Sequence, residues 1–388
     1  MNTHHDTRTV IIVAGEASGD SHAGALAEAM MRQNPNLRMI GVGGKAMTEA
    51  GVELVANIKS LNVMGLTEIV RKLKSILHVF LTLLKLLRET SPGLLVLVDF
   101  PDFNLLLARF AKRYNIPILY YISPQLWAWR PKRTKTIARL VDKMLVILPF
   151  EEDFYGNSGI NAEFVGHPLL DALRDVPGKL EARKALGIKD KTTLIGLLPG
   201  SRPSEIRRLA PVMLEATKYI RRSNPETEFI LPLAKTIHRK DFPFLSDNKI
   251  EHLRIFEGQT AIVIKTCDLI IAASGTVTLE SAILGTPLVI VYKLSPFTYF
   301  LARQLIRVPY IGLVNLVARE CLAPELIQHD VTPFRIAEEA LCILGDRNRQ
   351  EYLLKRFFDV KRLLGTPGAA DRAAKIALHL LNTNYSSQ

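Results

Sequence analysis

Short apolar runs alternate with helically periodic stretches along this chain. Val10–Ala14, Arg38–Val42, Leu94–Val98, Ile118–Ile122 and Lys143–Leu148 are rich in Val, Ile and Leu and short, so they predict strands. Helical patterns run from about His22 to Arg32 and from about Leu66 to Arg88. This alternation predicts a parallel sheet with helices on both faces. Gly166–Lys191 interrupts it with Pro168, Pro177, Gly178 and several charges. It then resumes, with strands at Thr193–Leu198, Glu228–Leu231, Leu269–Ala272 and Leu288–Val291 and a helix at Glu205–Arg222. From about Pro333 the pattern is helical. The expected fold class is α/β, with two Rossmann-like domains (residues 1–166 and 167–340) facing a cleft. Residues 341–388 are expected to be helices that pack back on the first domain or on a partner subunit.

Composition narrows the picture. The 388 residues suit two domains, and 48% hydrophobic against 23% charged residues exclude disorder as the main state. A formal charge of +12 favours an anionic partner. Cys267, Cys321 and Cys342 form no CxxC pair and suit a reducing cytoplasm rather than a disulfide scaffold. No secretory leader and no apolar stretch of about 18 residues is evident. Gly41–Ala46 fails both the P-loop and the dinucleotide fingerprint, and Gly15–Gly19 fails the nucleophile elbow because its serine is one place late. No histidine pair has helical zinc spacing, and no dinucleotide fingerprint is present, so neither a zinc site nor a nicotinamide cofactor is expected; no other cofactor is called for. The basic run Arg130–Lys143 lacks the aromatic ladder of an RNA-binding sheet, and nucleic acid is not an expected partner.

Four loops carry candidate chemistry, each just after a predicted strand, where an open α/β sheet holds its ligands. In Gly15-Glu16-Ala17-Ser18-Gly19-Asp20, small residues allow close approach to a helix start, and Ser18, Gly19 and Asp20 become acceptor-site candidates. The alternative is a tight turn with Ser18 or Asp20 as the helix cap. In Asp99-Phe100-Pro101-Asp102-Phe103-Asn104, a carboxylate at a strand end could take a proton from a substrate hydroxyl. Asp99 is the first candidate base, Glu16 the reserve and Asn104 a neighbour of the acceptor, whereas Asp102 reads as a cap. Gly200-Ser201-Arg202 leads from strand to helix, a phosphate-receiving arrangement with an added guanidinium fork; Glu205 could instead close a capping box there. Ser274-Gly275-Thr276 repeats it, with Glu280 one turn on as a partner for ribose hydroxyls. Two phosphate-friendly loops in the second half and an acidic loop in the first give the layout of a type B glycosyltransferase.

These loops, with Val63-Met64-Gly65, Ser123-Pro124-Gln125-Leu126-Trp127-Ala128-Trp129-Arg130, Leu148-Pro149-Phe150-Glu151, Val165-Gly166-His167-Pro168, Asn315 and Pro324-Glu325-Leu326-Ile327-Gln328, resemble, in order, those of the bacterial lipid A disaccharide synthases. The resemblance spans nearly the whole chain. It implies transfer from UDP-2,3-diacylglucosamine to 2,3-diacylglucosamine 1-phosphate, with inversion and without metal. The product is the β-1,6 tetraacyl disaccharide 1-phosphate, and UDP is released. It also implies peripheral binding at the cytoplasmic face of the inner membrane and leaves a homodimer open. Asn315 joins the expected UDP-sugar contacts and Trp127 the acceptor contacts. A lipid-linked glycosyltransferase or a UDP-sugar 2-epimerase of the same fold is the alternative.

Acylated substrates raise the question of a lipid-facing surface. On the Leu66–Arg88 helix, Leu66, Ile69, Val70, Leu73, Ile76, Leu77, Phe80, Leu84 and Leu87 share one stripe. Val79, Leu83 and Leu86 lie on another side, and Arg71, Lys72, Lys74, Lys85 and Arg88 frame the apolar surface, as on a helix lying in a membrane interface; burial of those three in a subunit contact is the rival reading. Leu66, Val79, Leu83 and Leu86 are therefore expected membrane contacts, with Phe297 and Phe300 as a second patch and an anionic membrane surface as the partner.

Overall fold

The computed structural model describes residues 6–58, 69–129, 133–233, 237, 239, 242, 244, 252–306 and 308–383. The chain divides into two compact units, Met1–Asp171 with Gly365–Gln388, and Ala172–Leu364. The first unit contains β1 (Asp6–Ala14), β2 (Arg38–Gly43), β3 (Glu53–Asn57), β4 (Pro92–Val98), β5 (Ile118–Tyr121), β6 (Lys143–Val146) and β7 (Ala162–Phe164). The second contains β8 (Leu194–Leu198), β9 (Glu228–Leu233), β10 (Leu253–Glu257), β11 (Leu269–Ala273), β12 (Leu288–Tyr292) and β13 (Glu325–Ile327). Every pairing is parallel, in the orders β3-β2-β1-β4-β5-β6-β7 and β10-β9-β8-β11-β12-β13. Each order reverses once, between β1 and β4 and between β8 and β11, and such a switch point opens a ligand crevice at the strands' carboxyl ends.

The central strands are continuous apolar runs because both faces are covered. Val10–Ala14, Leu94–Val98 and Ile270–Ala272 are buried. The helix Ala369–Thr383 turns Ala373, Ala374 and Ala377 towards the helix Ala17–Gln33, and these small side chains allow close packing. Asp171 accepts hydrogen bonds from the Gly368 and Ala369 amides at its start, and Arg372 donates to the carbonyls of Val165, Thr366 and Pro367. The helix Arg347–Leu363 belongs to the second unit, unlike the expected grouping of 341–388, because Leu353, Phe357 and Val360 pack among helices of that unit.

The expected membrane face of the long helix needs correction. The helix is Ile69–Thr90, and Val79 and Leu83 are buried in the first unit's core with Phe80 and Leu87, while Leu86 packs against that core. They are not membrane contacts. Among the described side chains of this helix, the exposed apolar residues are Leu77 and Leu81, in line with exposed Lys74, Lys85 and Arg88. Leu66 lies outside the described residues.

Candidate active site

Pairing of Ala14 with Val98 carries β1 and β4 side by side into their exit loops, so Glu16 and Asp99 enter neighbouring turns at the first switch point. Burial, and then the Glu16 carboxylate, push the Asp99 carboxyl above the usual carboxylate range. Asp99 and Phe100 adopt φ of 47° and 48°, a left-handed conformation that non-glycine residues rarely take. Three contacts hold it. The Tyr120 hydroxyl donates to the Asp99 carbonyl at 2.6 Å, and Asn104 Nδ2 donates to the same oxygen at 2.7 Å and to that of Val98 at 3.3 Å. The Phe100 ring lies where a Gly15 side chain would stand, 2.2 Å from its would-be Cβ, so only glycine fits there.

Several expected acceptor residues have other employment. The first helix begins at Ala17, five residues earlier than its periodicity predicts, with Glu16 as N-cap, and Ser18 and Gly19 lie in its first turn. Ser18 is exposed, while Gly19 is buried against Ala14 and Val98. Asp20 is buried and accepts from the amides of Gly44, Ala46 and Met47, capping the helix Lys45–Glu49. Its carboxylate serves the fold rather than a ligand. Asn104 is wholly buried and acts on the Asp99 backbone, not on an acceptor. Asp102 is not the cap, which is Phe100; it pairs with Arg133.

At the end of β5, Ile122 takes φ of 61°, an outlier for a β-branched residue. The turn that follows is built on Glu151. This buried carboxylate accepts from Ser123 Oγ at 2.8 Å, Trp127 Nε1 at 3.0 Å and the amides of Ile147 and Leu148. Burial raises its pKa despite those donors. The Trp127 indole N–H is thus committed to Glu151 and its ring packs at right angles to Phe150, which leaves only its partly exposed ring surface for an acceptor. Sequence reasoning assigned no role to Tyr120, Glu151 or Arg133. An acid three residues beyond Leu148 is a capping-box signal for Glu151, whereas Tyr120 reads as one more strand residue.

In the second unit, β8 leads into Gly200 at φ 114°. The Glu205 carboxylate fills the turn and accepts from the Ser201 and Arg202 amides at 3.2 and 3.3 Å. These amides, expected to receive phosphate, are engaged in the capping box. The Arg202 guanidinium is 70% exposed and sits 3.8 Å from Glu205, a loose pair. Ser274 Oγ donates to the Ile311 carbonyl at 2.7 Å, Gly275 has open space over its Cα, and Thr276 is exposed. Glu280 is largely buried with no partner among the described residues, and burial raises its pKa. An unpartnered buried carboxylate is costly and suits a hydroxyl-bearing ligand. Asn315 is fully engaged: Nδ2 donates to Ala323 and Glu325, and Oδ1 accepts from the Leu322 and Ala323 amides. It braces the loop before β13 and has no capacity left for a nucleotide.

Comparisons with known proteins agree with this layout. A family model described as lipid-A-disaccharide synthetase matches residues 10–374. The lipid-A-disaccharide synthase of Syntrophus aciditrophicus is 44% identical over 97% of this chain and 98% of its own length. That of Geobacter sulfurreducens is 44% identical over 98% of this chain and 99% of its own. Among solved structures, the UDP-GlcNAc 2-epimerase of Neisseria meningitidis bound to UDP-GlcNAc superposes with a TM-score of 0.63 at 13% identity, covering 97% of this chain and 100% of that one. At that identity the likeness shows the fold alone.

Proposed function

The chain belongs to the lipid-A-disaccharide synthetase family and is a hexosyltransferase, and we propose that Asp99 and Arg202 are the base and the leaving-group cation of its reaction. The reaction joins UDP-2,3-diacylglucosamine to 2,3-diacylglucosamine 1-phosphate to give the β-1,6 tetraacyl disaccharide 1-phosphate and UDP. The acceptor 6-hydroxyl gives its proton to Asp99 as its oxygen attacks the donor's anomeric carbon. The bond from that carbon to the diphosphate oxygen breaks, UDP leaves, and the configuration inverts. Exposed Arg202 meets the diphosphate as negative charge develops, with no metal required. Glu280 accepts from the ribose hydroxyls. The observation that carries the assignment is Asp99 itself, held at a switch point with its carboxyl poised above the usual range. Glu16 beside it is the reserve base.

No helix among the described residues is long and apolar enough to cross a membrane. The acylated substrates are reached from the cytoplasmic face of the inner membrane, which the enzyme binds peripherally. The helix Pro296–Leu305 buries none of its residues, and Phe297 and Phe300 are 73% and 62% exposed beside exposed Arg303, which suits an anionic interface.

The test is UDP release from the acylated donor with and without the acylated monosaccharide phosphate, with product analysis. Acceptor-dependent UDP release and a β-1,6 disaccharide are expected. Free 2-epimerised sugar formed without acceptor would replace the reading with an epimerase.

A further inference from the structure

Two hollows adjoin on the first unit. One, about 260 Å³, has Asp99, Ser123, Trp129 and Arg133 in its wall. The other, about 240 Å³, is lined by Asp102, Arg109 and Arg133 against the apolar Leu105 and Leu106. Arg133 belongs to both, and together they reach the ~300–1,000 Å³ span of small-ligand sites. Among the described residues lining the first hollow, Arg133 is the cation. The second brings two guanidinium groups against one carboxylate, since Asp102 pairs with Arg133 and Arg109 is exposed. Arg133 is about one-third exposed, so its fork is reachable from the hollow.

We infer that Arg133, with Arg109 behind it, seats the 1-phosphate of the acceptor sugar. The inference rests on the proposed function, which puts the 6-hydroxyl at Asp99. On a hexose ring the C5 branch bearing that hydroxyl and the anomeric carbon flank the ring oxygen, so a sugar seated at Asp99 sends its phosphate along the same wall. Among the described residues, Arg133 is the guanidinium on that wall. A phosphomonoester offers two oxygens to the planar fork and nearly two charges against the one of Asp102, so it displaces that carboxylate. Arg109 supplies the second positive charge. Discrimination between a phosphorylated and an unphosphorylated acceptor then resides in these two residues, away from the proton transfer.

The experiment compares kcat/KM for the acceptor and for its analogue with a free 1-hydroxyl, in wild type, Arg133→Ala, Arg133→Lys and Arg109→Gln. Wild type should prefer the phosphorylated acceptor. Arg133→Ala should shrink that preference roughly 10- to 100-fold, through KM of the phosphorylated acceptor. Arg133→Lys should retain part of it, because charge survives without the fork, and Arg109→Gln should lose less than Arg133→Ala. Equal losses on both acceptors would overturn the assignment, since a merely structural arginine affects both alike. So would a wild type indifferent to the phosphate. A wild type that makes no disaccharide from either acceptor would instead overturn the proposed function.

Discussion

Asp99 combines a left-handed backbone with a partly buried charge, and strain of that kind costs ~1–3 kcal/mol. Asn104 adds to it, because its Oδ1 is buried with no hydrogen-bond partner among the described residues while its Nδ2 holds the Asp99 carbonyl. Such expense at one turn marks a side chain whose aim matters. Asp99→Asn should abolish disaccharide formation and leave UDP binding, measured by calorimetry, nearly intact; an active variant together with a dead Glu16→Gln would exchange the two roles. In wild type, a base must be ionised, so the rate should fall as pH drops through the Asp99 pKa. Because that pKa is raised, the acid limb should lie above the ordinary carboxylate range. Tyr120→Phe removes one of two donors to the Asp99 carbonyl. It should lower kcat about tenfold with little change in KM and should move the acid limb; an unmoved pH profile would reduce Tyr120 to a core residue.

The helix Ile69–Thr90 shows how an element's buried face is chosen. Apolar residues occur on nearly all its sides, so periodicity offers two faces of similar merit. Packing against β1, β3 and the helix Pro101–Arg113 selects the side with Val79, Phe80, Leu83 and Leu87. Leu83→Ala should therefore destabilise the first unit by about 2–5 kcal/mol in urea unfolding, whereas Leu77→Ser and Leu81→Ser on the exposed side should each change it by less than about 0.5 kcal/mol. The helix Pro296–Leu305 has no buried residue to lose. Replacing Phe297 and Phe300 with Ser should leave the melting temperature unchanged and weaken flotation with anionic vesicles, and undiminished flotation would remove this helix from the interface.

Across the whole molecule, two sheets share the same order over six strands, with β7 added at one edge of the first, and each has its own switch point. Tryptophan fluorescence reports the first unit alone, because Trp127 and Trp129 are the chain's two tryptophans. His167 is buried there with Nδ1 accepting from the Leu169 amide, and burial, followed by nearby His22, lowers its pKa to about 4. Between about 4 and its ordinary 6.5, the unfolded chain binds a proton that the folded unit does not. Stability should thus fall as pH drops across that window, by up to ~3 kcal/mol. His167→Asn keeps an acceptor for Leu169 and cannot titrate, so the tryptophan-monitored urea midpoint should fall less steeply with acid; an unchanged slope would assign the acid sensitivity elsewhere.

The strands β1, β2, β4, β5, β6, β8, β9, β11 and β12, the parallel α/β class, the glycine turns after β8 and β11 and the acid at the end of β4 were legible from residue order, because burial repeats locally with the period of the element and glycines mark the turns, whereas the short edge strands β3, β7, β10 and β13 were not. The capping role of Glu205 was legible too, since its partners lie three and four residues away. Asp20, Asn104 and Asn315 were not, because a polar side chain beside a candidate site looks alike whether it meets a ligand or the chain's own backbone. Asp20 reaches amides 24 to 27 residues away, and Asn104 locks a turn with Tyr120 from the adjacent strand. Which groups remain unspent, as Arg202 and Glu280 do, emerges only once strand pairing and helix packing have engaged the others. Hydrogen-bond partners distant along the chain are chosen by proximity in the folded molecule, and no local period encodes them.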